Sequence, residues 1–197
     1  VVTAQAESSV DAAAVATALG RSERLARHVM ARHPDLPEAR AALAHCLAAQ
    51  DRVDEALSLW HEVRQDRRLP VSPAAITARQ LQVAAIFQIG VLSLQRAVVA
   101  QEAGERAEWA GGARSAAGDL KRAGGAPGVL IDILDAGVAH LDGRHLEAAN
   151  RLDAISRHTG SAIPEVPLHA GLALAARGEP LWAIERVQAF MDTAGPA

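Results

Sequence analysis

Two glycines set 35 residues apart constrain this chain more than any other feature. Gly143 and Gly178 each follow an apolar, alanine-rich run and precede a second one, and Ala148 and Ala183 keep the same offset. An apolar helix, a glycine-centred turn and a second helix with a small residue in its first turn make a helix hairpin. A hairpin that recurs at a fixed period marks a stacked repeat, because a single hairpin cannot bury its own apolar face.

Composition agrees. Half of the 197 residues are hydrophobic, yet only 3% are aromatic and none is tyrosine. The core must come from Ala, Leu, Val and Ile, and alanine-rich stretches favour helix strongly. The formal net charge of −3 offers no electrostatic footprint for nucleic acid. The one basic knot, Arg64 to Arg68, falls in the last turn of a predicted helix, where cations complement the helix dipole. Cys46 is the only cysteine, so there is no intrachain disulfide framework. On its alanine-rich helix it reads as a buried small hydrophobe. No apolar run approaches 18 residues without charged or polar breaks, so no membrane insertion is expected. The expected compartment is the cytoplasm, or the periplasm if Ala4-Gln5-Ala6 is the end of a signal peptide.

Taken in order, the chain predicts a first helix from Ala4 to Leu19, broken by Gly20. Ser22 is the N-cap of a second helix, Glu23 to Arg32, which His33-Pro34 ends. A second pair is clearer. Pro37 and Glu38 open a helix with Leu43 and Leu47 on one stripe. Gln50-Asp51-Arg52 turns the chain, and Val53, Ala56, Leu57, Leu59, Trp60 and Val63 form the buried stripe of the partner. The middle is irregular. From Ala74 to Glu108 the chain reads as continuous helix, with Gly90 or Gly104 as a break, and one helix longer than the norm is expected. Gly124-Gly125-Ala126-Pro127-Gly128 is the clearest loop. The expected organisation is therefore an N-terminal helical-repeat block over 1–125 with an overlong middle helix, and two regular repeats over 126–197.

These hairpins resemble the tetratricopeptide repeat, a helix–turn–helix unit of 34 residues. From Pro37, the family's small eighth place, turn, alanine and large apolar place hold Ala44, Asp51, Ala56 and Trp60. From Val129 they hold Ala136, Gly143, Ala148 and Leu152. From Pro164 they hold Gly171, Gly178, Ala183 and Val187. The middle departs, because Trp109 lands where alanine is expected. The resemblance implies an all-α fold, an α-solenoid of about five antiparallel helix pairs in a right-handed superhelix. It also implies a concave groove lined by the first helix of each unit. The groove places are Glu38, Ala41, His45 and Ala48, then Leu130, Ile133, Gly137 and His140, then Glu165, Leu168, Leu172 and Ala175. Members that clamp a peptide carboxylate use Lys, Arg and Asn there, and this chain has none. The groove reads as mostly apolar, with His45, Leu130, Ile133, His140, Leu168 and Leu172 as its candidate contacts. Such a surface suits an apolar or amphipathic helical segment.

Chemistry-bearing patterns are missing. There is no Gly-x-Ser-x-Gly elbow and no His-Glu-x-x-His motif. Gly111-Gly112 and Gly124-Gly125 lack the strand-to-helix context of a phosphate loop. His140 and His145 flank a turn and are expected to point apart, so no metal site is expected. The expected role is a non-enzymatic scaffold or adaptor for a protein or peptide partner, without cofactor and without nucleic acid. The alternative is an effector-sensing region of a larger transcriptional regulator or transferase. An apolar end face also makes a homodimer an expectation.

Overall fold

The computed structural model describes residues 2–66 and 74–159, with the single positions 176, 178 and 184, and describes side chains over 13–66 and 78–157. Those residues form seven helices and no strand: α1 Val2–Arg32, α2 Pro37–Ala48, α3 Val53–Gln65, α4 Ala74–Val99, α5 Ala103–Ala123, α6 Gly128–Leu141 and α7 His145–Thr159. The all-α class is as the sequence implies.

The chain divides into two compact units within α4, one over Val1–Leu92 and one over Ser93–Ala197. In the first, α1 packs on α2 and α2 on α3. In the second, α5 packs on α6 and α6 on α7. Each unit thus has a long helix followed by a tight hairpin.

Two expectations about the front of the chain fail. Gly20 does not break the first helix, and Ser22 caps nothing, because α1 runs unbroken for 31 residues. A lone glycine costs an exposed helix only about 1 kcal/mol, less than the alanines and leucines around it return. The first antiparallel pair is therefore a single helix. The middle helix is indeed long, at 26 residues, but it stops at Val99 and not at Glu108. Glu102 turns to extended backbone (φ −86°, ψ 137°) ahead of α5, and the Arg106 guanidinium donates to the Ala100 carbonyl at 2.9 Å.

The hairpin turns explain themselves. Beyond the ends of α2 and α6 one residue enters the left-handed region. Asp51 has φ 60° and Gly143 has φ 76°. The next amide reaches back five residues: Arg52 N–H donates to Leu47 O at 2.9 Å, and Arg144 N–H to Ala139 O at 2.8 Å. That is the Schellman pattern, which satisfies the last carbonyls of a helix. Gly178 shares the place by sequence and is also left-handed, with φ 87°.

Burial follows the same register. Ala44 and Ala136 are fully buried at the equivalent place of the first helix, and Ala56 and Ala148 at that of the second. Trp60 and Leu152 occupy the large apolar place, and both are buried. Trp109, the departure from the pattern, lies on α5, where its indole N–H donates to Glu105 at 3.3 Å. Cys46 is half-buried and not enclosed, which corrects the expectation of a core position.

One stretch of described residues, Ala78–Val99, is long and apolar enough to cross a membrane by length and composition. Arg79, Gln80, Gln82, Gln88, Ser93 and Arg96 interrupt it. Val83, Ala85, Ile86, Ile89 and Leu92 of this stretch are buried inside the protein.

Candidate functional site

On α2, Glu38 and His45 are exposed, Ala48 is half-buried and Ala41 is buried. The edge of His45 meets Trp60 at 83°, with ring centroids 4.8 Å apart. The rest of the ring stays open, yet its partial burial against the hairpin lowers its pKa by penalising the charged form. On α6, Leu130, Ile133, Gly137 and His140 are all half-buried. Ile133 packs with Val129 against Ala136, Leu152 and Ile155, so it serves its own hairpin as much as any groove. Gly137 is covered, because a Cβ there would collide with the δ-methyl of Leu94 on α4. Glycine at this place lets α4 approach the helix closely. Leu168 and Leu172 lie outside the described residues.

The two histidines at the α6–α7 turn do not point apart. His140 closes the last turn of α6 and His145 opens α7, and their Nδ1 atoms stand 3.2 Å from each other. The ring centroids are 4.8 Å apart and the planes are tilted by 58°. The reason is the Schellman turn. By reversing the chain within four residues it brings the end of one helix against the start of the next. A five-residue spacing that would diverge on a straight helix therefore converges here.

Charged groups surround both turns, and sequence pattern alone did not single them out. Glu23 of α1 accepts from Gln50 at 2.9 Å, from Arg52 at 2.7 Å and from Arg27 at 2.6 Å. Those donors, Gln50 first, hold its carboxyl below the usual carboxylate range. Arg52 also forks onto Glu55, at 2.7 and 2.6 Å. In the second unit Arg114 of α5 reaches Asp142 at 2.5 Å, and Arg144 bridges Asp142 at 3.1 Å and Glu147 at 2.5 Å. Arg114, ahead of Arg144, keeps the Asp142 carboxyl low, and Arg144, ahead of Arg151, does so for Glu147. Arg151 continues the chain to Asp135 at 3.6 Å, which Lys121 holds at 2.9 Å. The available signal was the recurrence of Arg-x-x-Glu directly after each turn, Arg52–Glu55 and Arg144–Glu147.

Among the described residues no group of three or more His, Cys, Asp or Glu is placed to hold a metal ion. The charged groups at the turns are engaged with opposite charges or amide donors. Comparisons with family models, with curated proteins and with solved structures find no match for this chain.

Proposed function

We propose that the chain is a scaffold of tetratricopeptide-like hairpins that presents the first helix of each hairpin to a protein partner. One observation carries this reading. The hairpins α2–α3 and α6–α7 place fully buried alanines and a left-handed turn residue at matching positions, as repeated units of one plan do. On the first unit the presented surface is His45 with Ala48, flanked by Glu38. On the second it is Leu130 and Ile133, with His140 at the end of the helix. Each patch is part apolar and part histidine, which suits the apolar face of a short helix more than a charged peptide end.

The test is site-specific photo-crosslinking in the native host. A crosslinker at position 130, on the presented face of α6, is compared with one at exposed Asn150 on α7. The reading expects a discrete protein adduct from position 130 and none from 150. Equal labelling from both positions, or none from 130 in folded protein, defeats it.

A further inference from the structure

We propose that His140 and His145 form an open two-imidazole site for a divalent transition-metal ion, with both Nδ1 atoms as ligands. Two nitrogens each about 2.0–2.1 Å from one tetrahedral ion are separated by about 3.3 Å. The observed Nδ1···Nδ1 distance is 3.2 Å. The ring centres sharpen the case. An in-line hydrogen bond between nitrogens at that distance would hold the centroids about 5.5 Å apart. Two rings converging on a shared ion would hold them about 5 Å apart. The observed separation is 4.8 Å with the planes tilted by 58°, which two rings converging on one ion can adopt.

The position suits an ion that arrives from outside. The site lies at a hairpin turn, both rings are only half-buried, and neighbouring Asp142, Gly143 and Arg144 are exposed. The carboxylates nearest in sequence are engaged elsewhere, Asp142 by Arg114 and Arg144, Glu147 by Arg144 and Arg151. No third protein donor completes the set among the described residues. The remaining coordination positions are then filled by water or by donors of a bound partner. A site of that kind is labile and selects ions by their taste for imidazole: Zn²⁺, Ni²⁺ and Cu²⁺ ahead of Mg²⁺ or Ca²⁺. It also joins the C-terminal end of α6 to the N-terminal start of α7, so an ion there would clamp the hairpin shut.

The test is a Zn²⁺ titration of the full chain at about pH 7.5, where imidazole is neutral, with nitrogen-15 spectra of the rings. The expected result is uptake of one ion, with the Nδ1 resonances of His140 and His145 moving together. His140→Ala and His145→Ala each weaken uptake about tenfold or more, while His28→Ala and His33→Ala, which share the five-residue spacing, do not. Because alanine at a half-buried turn can loosen the hairpin, His145→Gln is measured beside it, with helical circular dichroism as the check on folding. A wild-type titration that leaves both Nδ1 resonances unmoved overturns the proposal, and the pair is then a shared hydrogen bond only. Uptake that persists in the folded His145→Gln variant overturns it equally.

Discussion

The hairpins α2–α3 and α6–α7 share a register but fill it differently. Ala44 and Ala136, and then Ala56 and Ala148, are fully buried at matching places. Between them the first hairpin inserts Leu43, Leu47 and Trp60, which is only 1% exposed. The second has no aromatic residue there: Leu134, Val138, Leu152 and Ile155 are buried around Ala139 and Ala149, and Ala139, Ala148 and Ala149 cluster together. The alanines thus mark the shared register, and the residues around them differ in bulk. The first hairpin buries an indole at the large apolar place and the second a leucine, so the first loses more apolar contact on truncation there. The turn residue differs too: the first bends on an aspartate and the second on a glycine.

The largest test of that difference is truncation at the large apolar place. Trp60→Ala should destabilise by about 3–5 kcal/mol, and Leu152→Ala by about 2–4, measured by urea denaturation. Trp60→Phe separates volume from polarity. The Trp60 indole N–H is buried without a hydrogen-bond partner. Phenylalanine removes that orphan donor while keeping most of the volume, so its cost should stay below about 1.5 kcal/mol. If Trp60→Phe costs as much as Trp60→Ala, the apolar-contact account of the first hairpin is wrong.

Overpacking probes the other side. Ala148→Leu should cost about 1–3 kcal/mol, and more than Ala56→Leu. The Ala139–Ala148–Ala149 cluster holds no long side chain that can swing aside, whereas the buried residues of the first hairpin include Leu43, Leu47 and Leu57. Equal costs would mean that the two hairpins are equally close. A smaller effect comes from the turns. Gly143→Ala places a Cβ at φ 76° and should cost about 1 kcal/mol, while Asp51→Gly relieves a non-glycine at φ 60° and should return about 0.5–1 kcal/mol. No side chain stands within 4 Å of a Cβ at Gly143, so the change reports backbone strain alone.

How much of this was legible follows the same contrast. The hairpins were readable because turn residue, small residue and large apolar residue recur at fixed spacing, and each has a local physical cause. The end of α4 was not. Ala100-Gln101-Glu102 are good helix formers, yet Glu102 turns to extended backbone without a side-chain cap and Arg106 donates to the Ala100 carbonyl. Gly20 misled in the opposite direction, since a glycine on an exposed helix is a small cost that its neighbours override. The candidate site was partly hidden for a related reason. His140 stood out as a groove place, but its contact with His145 depends on the turn geometry, and the covering of Gly137 by Leu94 depends on a helix distant in sequence. Nearest-neighbour spacing carries local causes and is blind to tertiary ones.

The smallest predicted effect separates the units by pH. In the first unit His45 and His61 are both held below the ordinary histidine value, His45 by burial and His61 by burial and then by Arg64. A lowered folded pKa means that the unfolded chain binds protons first as pH falls. Stability from these groups is complete above about pH 6.5 and is lost as the pH drops through the lowered folded values. Both side chains are substantially exposed, so solvent screening keeps the effect small, no more than about 2 °C in Tm. His45→Gln with His61→Gln should flatten the melting profile between about pH 7 and pH 5 without altering the loss below pH 4.5 or so. That lower loss belongs to the carboxylates Glu23, Glu55, Asp142 and Glu147, all of which arginine or glutamine donors hold low in the folded chain. A double variant that still loses stability between neutrality and pH 5 to the wild-type extent would place the titration elsewhere. The edge-on contact of His45 with Trp60 would then be packing alone, with no electrostatic consequence for the first hairpin.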